Sequence, residues 1–230
     1  MTRDFELKDY NGMCRLFPLP GIVLLPNAIL PLHIFEPRYR QLTVDALATD
    51  ALVTIVQTKR REPQSLAGEP AIESIGCVGK ILKHERLADG RFNYLLLGCK
   101  RVRLIREIVA QTLYRQAEGE LLDDCEAFDP FAPAPSREEL VALFRLAAEQ
   151  EETIDPELAK LLHSNAPLGT TTDLLAHALS LPPSVKQDLL NERRVAYRAS
   201  ILIDHLRHLV GPITRSAVDH GAFPPRLSDN

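Results

Sequence analysis

Proline spacing constrains this chain more than any other feature. Within residues 15–47, RLFPLPGIVLLPNAILPLHIFEPRYRQLTVDAL, Pro18, Pro20, Pro26 and Pro31 cut an apolar run into pieces too short for a buried or membrane-spanning helix. Each proline lacks an N–H, and its ring collides with the preceding turn, so the run must be extended segments joined by turns. The pattern changes at Glu36-Pro37. Proline is tolerated in a first helical turn because its missing donor would be unpaired there anyway, and Tyr39, Leu42 and Ala46 follow at helical spacing. The segment predicts strand, turn, strand, helix.

The rest of the first half also reads as strands. Residues 51–58 (ALVTIVQT) form a β-branched run that stops at Lys59-Arg60-Arg61-Glu62, and residues 63–70 read as an exposed loop. Strand-like residues 78–86 and 91–97 flank Ala88-Asp89-Gly90, where Asp-Gly signals a tight hairpin with positive φ at both central positions. Phe92, Tyr94 and Leu96 share one face. After Gly98, residues 100–108 predict a further strand on which Arg101 and Arg103 point to solvent while Val102 and Leu104 are buried.

Composition then shifts. Residues 123–136 (DDCEAFDPFAPAPS) hold four acidic residues and three prolines and predict a linker. Ser136 and Glu139 have capping-box spacing ahead of the stripe Leu140, Leu143, Phe144 and Ala147. Asp155-Pro156 predicts a second helix, Thr172-Asp173 caps a third running to Leu179, and Ser184 with Gln187 opens a fourth. Val195, Ala199, Leu202, Leu206 and Leu209 line a last helix, ended by Gly211-Pro212. The organisation expected is an α+β chain: a β-rich unit over 1–122, a linker over 123–136, a helical unit over 137–211 and a flexible tail over 212–230.

No apolar stretch approaches the roughly 20 residues that span a bilayer, and the N-terminus MTRDFELKDYNG is too polar for a signal peptide, so a cytoplasmic location without membrane contact is expected. The four cysteines are dispersed without a CxxC pair, as expected of reduced thiols. Residues 1–118 carry 17 Lys+Arg against 13 Asp+Glu, and residues 119–230 carry 10 against 18. The basic half is far from the strongly basic footprint of a dedicated nucleic-acid binder.

Chemistry-bearing motifs are sparse. Gly76-Cys77-Val78-Gly79-Lys80-Ile81 imitates a phosphate loop, but it has only two residues between its glycines and isoleucine where Mg²⁺ needs a hydroxyl, so it reads as a glycine-bearing strand. There is no GxSxG and no HExxH. Ser74 with Lys80 lacks any sign of the burial that a Ser-Lys dyad needs. Asp204, His205 and His208 form an incomplete ligand set, and Glu36 is expected to stabilise the following helix N-terminus. Neither a catalytic residue nor a cofactor or metal site is assigned.

Taken in order, four segments resemble a known family: residues 16–31 with the helix start at 33–39; residues 75–81 (IGCVGKI); residues 87–105, with DGR and a following L-x-G-x-x-R; and residues 172–191 (TDLLAHALSLPPSVKQDLLN). Together they resemble the N-terminal substrate-binding domain of the ATP-dependent Lon protease, in a stand-alone form without the ATPase and peptidase domains. The resemblance implies a PUA-like pseudo-barrel followed by a helical bundle, and a domain that binds unfolded or degron-bearing polypeptide and performs no chemistry. Residues 190–196 (LNERRVA) depart from the acidic stretch usual in the family, which puts docking to an ATPase module in doubt.

The contact candidates are Phe35, Tyr39 and Tyr94, which are core residues or groove-lining ones, and the basic cluster Lys100, Arg101, Arg103 and Arg106. That cluster is a solvated strand face or a contact for acidic peptide or RNA phosphates. RNA binding is the alternative function. A small-molecule pocket is a third, although a chain without tryptophan cannot build a tryptophan cage.

Overall fold

The computed structural model describes residue 7 and residues 10–59, 70–126, 135–151 and 166–218, with side chains except at 148–151 and 212–218. The prolines act as expected. Strand β1 (Met13–Leu19) and strand β2 (Ile29–Ile34) flank a turn-rich connection, and helix α1 (Pro37–Leu47) starts with proline in its first turn. Tyr39, Leu42, Thr43 and Ala46 are its buried stripe. Glu36 occupies the N-cap position without a side-chain cap; its carboxylate binds Arg38 at 2.9 Å, so its charge lies at the helix N-terminus but does not cap it.

Strands β3 (Leu52–Gln57), β4 (Ile75–Arg86), β5 (Phe92–Ile108) and β6 (Gln116–Leu122) complete a sheet ordered β2-β5-β4-β3-β1-β6, in which β6 also pairs with β5. The ring β5-β4-β3-β1-β6 is therefore closed, and β2 is appended to it. Strand β1 lies parallel to β3, with β2 and α1 as the crossover that a parallel pair requires. The two strands expected at 91–97 and 100–108 are one. Strand β5 is long enough to pair with β2 through residues 92–97 and with β6 through residues 101–108. Register shifts near Cys99 and between Leu104 and Arg106 curve it, as bulges do.

The Asp89-Gly90 hairpin forms differently from the two-residue turn expected. Leu87 N donates to Arg91 O, giving a three-residue loop in which Gly90 alone has positive φ, 81°. The imitation phosphate loop is the centre of β4. A Cβ on Gly79 would lie 2.7 Å from Leu96 Cγ, so glycine there serves strand packing.

Four helices follow the sheet among the described residues. Helix α2 (Arg137–Glu151) is capped by Ser136 Oγ accepting from Glu139 N at 2.9 Å. Helices α3 (Leu168–Ala178) and α4 (Pro183–Asn191) follow, and α5 (Val195–Val218) packs on α2 and α3. Thr172 and Asp173 do not cap α3; they are buried inside it. Helix α5 runs through Gly211-Pro212 to Val218, against the stop and tail expected there. The helix expected at Asp155-Pro156 and the loop at 63–69 lie outside the described residues.

Sheet and helices share one apolar cluster, from Phe17, Ile55, Cys77 and Leu96 to Leu140, Leu175, Leu189, Leu202 and Leu206. A smaller cluster, Cys14, Leu16, Leu52, Val78, Val102 and Ala117, takes alternate positions on the same strands and so lies on the opposite sheet face. The observed class is α+β, a curled sheet followed by helices. The first residues of the expected linker are held: Cys125 N donates to Arg193 O, and Val195 N donates to Cys125 O.

Candidate functional site

The smaller-cluster face of the sheet continues, beyond the closed ring, as an open surface on β2, β5 and β4. Its rows follow from register. Ile29 faces Leu97 and Lys80; Pro31 faces Leu95 and Lys83; His33 faces Asn93 and Glu85. A concavity of about 440 Å³ is lined by Pro31, His33, Lys83, Glu85, Asn93 and Leu95, among others.

The polar row is held in place. His33 Nδ1 lies 2.6 Å from Asn93 Oδ1, and His33 Nε2 lies 3.2 Å from an Arg91 guanidinium nitrogen. Arg91 has only donors, so Nε2 accepts and Nδ1 carries the proton. Arg91 is itself bound by Asp89 at 2.6 Å. Beyond His33, the ring of Phe35 stacks on the imidazole at 6.2 Å and is 61% exposed. Among the described residues, Lys80, Lys83 and Arg86 have no carboxylate partner; Arg86 lies over the Phe92 ring.

The other contact candidates lie elsewhere. Tyr39 and Tyr94 are buried, and burial pushes the Tyr94 hydroxyl pKa up. Tyr39 packs on Phe17 and borders a smaller cavity of about 240 Å³ with Pro18, Pro20 and Arg38. Lys100 pairs with Asp123, Arg103 with Glu120 at 3.2 Å, and Arg106 with Glu118 through an Nε contact of 2.7 Å. These three form cross-strand and loop pairs on the surface rather than a free basic patch.

Arg101 corrects the sequence reading most sharply. Expected in solvent, it is 2% exposed and grips Asp173 of α3 with two bonds of 2.9 and 2.6 Å. Its Nε donates to Leu190 O of α4 at 3.0 Å. Arg198 of α5, also buried, binds both oxygens of Asp124 at 2.9 and 2.8 Å. Asp124 lies 3.4 Å from Arg101, and Asp173 lies 3.6 Å from Arg198, so two cations and two anions close a ring between sheet and helices. Burial acts to lower the Arg101 pKa, but the attraction of Asp173 and Asp124 outweighs it and the net shift is upward.

The physical reason is a bulge. Gly79 faces Gly98 while the adjacent Val78 faces Lys100, so Cys99 is an extra residue in β5. Without it Arg101 would share the face of Leu95 and Leu97; with it Arg101 joins Cys77 on the helix-covered face. Arg101 and Val102 do alternate as expected, but the helices cover one face and the smaller cluster fills the other, so neither is solvated. A bulge at Gly98-Cys99 was the signal available in the sequence.

Nothing on the open face pairs a nucleophile with a base. Burial pushes the Cys14 and Cys77 thiols up, away from reactive thiolate. His208 Nδ1 lies 2.7 Å from Asp204 O, and among the described residues no group of three His, Cys, Asp or Glu could hold a metal. No helix among them is long and apolar enough to cross a membrane.

A curled sheet with a docked helical unit, one of whose concavities is an open apolar and basic sheet face, defines an α+β domain that presents a surface. Residues 13–208 match the family model of the ATP-dependent protease La (LON) substrate-binding domain, and the chain belongs to that family. It is 22% identical over 199 residues to a Lon protease of Anaeromyxobacter dehalogenans, covering 86% of this chain and 23% of that protein. It is 31% identical over 116 residues to Lon protease 2 of Syntrophobacter fumaroxidans, covering 50% of this chain and 14% of that one. The chain thus spans under a quarter of the length of these relatives. Among solved structures, the Lon N-terminal domain protein from Xanthomonas campestris aligns with a TM-score of 0.58 at 23% identity, covering 84% of this chain and 97% of that one. The N-terminal domain of Mycobacterium avium complex Lon protease aligns with a TM-score of 0.65 at 19% identity over the same shares. Both likenesses carry the fold.

Proposed function

We propose that this chain is a polypeptide-recognition module that performs no chemistry of its own, and that it engages unfolded or degron-bearing chains through the open face of β2, β5 and β4. The observation that carries the reading is the alignment of Pro31 and Leu95 beside exposed Phe35 on a concave face that the helices leave uncovered. Membership of a substrate-binding family supports it. Apolar side chains of an unfolded client would bury against Phe35, Leu95 and Ile29, while the His33–Asn93–Arg91 set holds the polar border rigid. RNA is the weaker reading, because Lys100, Arg103 and Arg106 each already face a carboxylate.

Fluorescence anisotropy with a labelled, permanently unfolded polypeptide tests the proposal. Phe35→Ser combined with Leu95→Ser should weaken binding by about tenfold, from the apolar area lost. Tyr197→Ala, which removes an exposed aromatic from α5, should leave binding unchanged. No binding by the parent chain, or equal binding by the double variant, would refute it.

A further inference from the structure

Resting on that reading, we propose that the open face selects polypeptide segments in which an apolar side chain has a carboxylate within about three residues of it, the carboxylate meeting Lys83 and Lys80. The edge of β2 is the other place an extended chain could bind, and its backbone argues against it. Ala28 O accepts from Gly98 N of β5. Backbone direction alternates along an antiparallel strand, so Leu30, Leu32 and Ile34 bond to β5 while Ile29, Pro31 and His33 face the free side.

Those three cannot offer a complete ladder. Pro31, at the middle of that free side, has no N–H. Ile29 and His33 keep their peptide groups, but Pro31 between them offers only a carbonyl, so strand addition, which reads any sequence through backbone bonds, is interrupted at the middle of the edge. Recognition then rests on side chains of the face.

The chemistry of that face is mixed in a particular way. Its first two rows run from apolar to cationic: Ile29, Leu97, Lys80 and then Pro31, Leu95, Lys83. Lys80 and Lys83 carry two charges with no carboxylate partner among the described residues, against Glu85 on the same face, while Arg86 stands opposite Phe92 on the other face. A ligand that seats an apolar group on Leu95 and Pro31 brings its neighbours over these cations. Each row spans two strand spacings, about 10 Å, which an extended chain covers in about three residues. A carboxylate that close to the anchor reaches the ammonium groups; one farther along does not.

Three labelled peptides of fifteen residues separate the terms, with the full chain and anisotropy as readout. All carry one leucine-phenylalanine anchor; the first has glutamates two and three residues away, the second has the same glutamates eight or more residues away, and the third has glutamines. The near-glutamate peptide should bind about threefold tighter than the far-glutamate peptide of equal net charge, the scale of exposed ion pairs. Lys80→Gln with Lys83→Gln should bring that ratio to one without changing the glutamine peptide, and high salt should do the same to the parent chain. Equal binding of the near and far peptides, or a ratio that survives both the variant and salt, overturns the inference. If the glutamine peptide does not bind, or Phe35→Ser with Leu95→Ser leaves every peptide unaffected, the underlying reading fails instead. Displacement of the near-glutamate peptide by a charge-matched single-stranded RNA at lower concentration than by unlabelled peptide would overturn the polypeptide assignment.

Discussion

Replacing Asp173 by alanine would leave two buried guanidinium groups facing one partly exposed carboxylate. Asp173, 3% exposed, accepts both terminal nitrogens of Arg101 and lies 3.6 Å from Arg198 Nε. Breaking a buried pair costs about 3–5 kcal/mol because the remaining charge is stranded away from water. Here Asp124 stays within 3.4 Å of Arg101, and the Leu189 and Leu190 carbonyls still accept from it, so the lower end, about 3 kcal/mol, applies. With a urea slope of about 3 kcal/mol/M, the unfolding midpoint should fall by about 1 M. Far-UV circular dichroism reads the transition, supported by tyrosine fluorescence, which no tryptophan obscures in this chain. The pair variant Arg101→Met with Asp173→Leu should recover most of the loss, since apolar replacement of a whole buried pair is often neutral, and Arg198 keeps Asp124. A midpoint for Asp173→Ala within about 0.3 M of the parent, or a pair variant less stable than the single one, would refute the reasoning.

Gly79→Val should destabilise the fold by about 1–3 kcal/mol, read as a lower thermal midpoint, because its Cβ would lie 2.7 Å from Leu96 Cγ and 3.0 Å from Leu97 O. Stability should also fall in mild acid. Burial, and then the Lys186 charge, hold the His177 pKa below its ordinary 6.5, so the unfolded chain binds the proton more readily. That contribution is fully present above pH 6.5, declines as pH drops below it, and is gone once the lower folded value is passed; urea midpoints against pH for the parent and His177→Gln should differ in slope only in that range. Thiol labelling should distinguish the four free cysteines: Cys99 and Cys125 react in the native state, whereas Cys14 and Cys77, both buried, react only as fast as the protein unfolds.

Much of the architecture was legible because it depends on local chemistry. Proline spacing located β1, β2 and the start of α1, and the Ser136–Glu139 cap located α2. The misreadings share a cause, which is long-range packing. Asp173 looks like a cap by residue type, but Arg101, 72 residues earlier, draws it into the interior of a helix. Gly211-Pro212 looks like a stop, yet α5 continues past it. Of the proposed surface, Phe35 was already named from the sequence, and the structure leaves it exposed. Lys80, Lys83, Leu95 and Pro31 were not, since only strand register brings residues about 50 positions apart into one row.

Strand β5 explains why the open face and the buried ring occur together. Its first half carries Asn93, Leu95 and Leu97 on the open side and Phe92, Tyr94 and Leu96 on the helix side. A strand without interruption would put Arg101 in phase with Leu95 and Leu97, toward the buried smaller cluster where Val102 sits, and leave Asp173 without it in the core. The extra residue at Cys99 reverses the phase, so the same strand presents apolar and lysine-bordered rows at one end and anchors α3, α4 and α5 at the other. Arg101 therefore fixes the helices to the side of the sheet opposite the concavity, which keeps that face uncovered. The face is available because the bulge commits the strand's most strongly held cation to structure and leaves Lys80 and Lys83, unpaired, to border the surface.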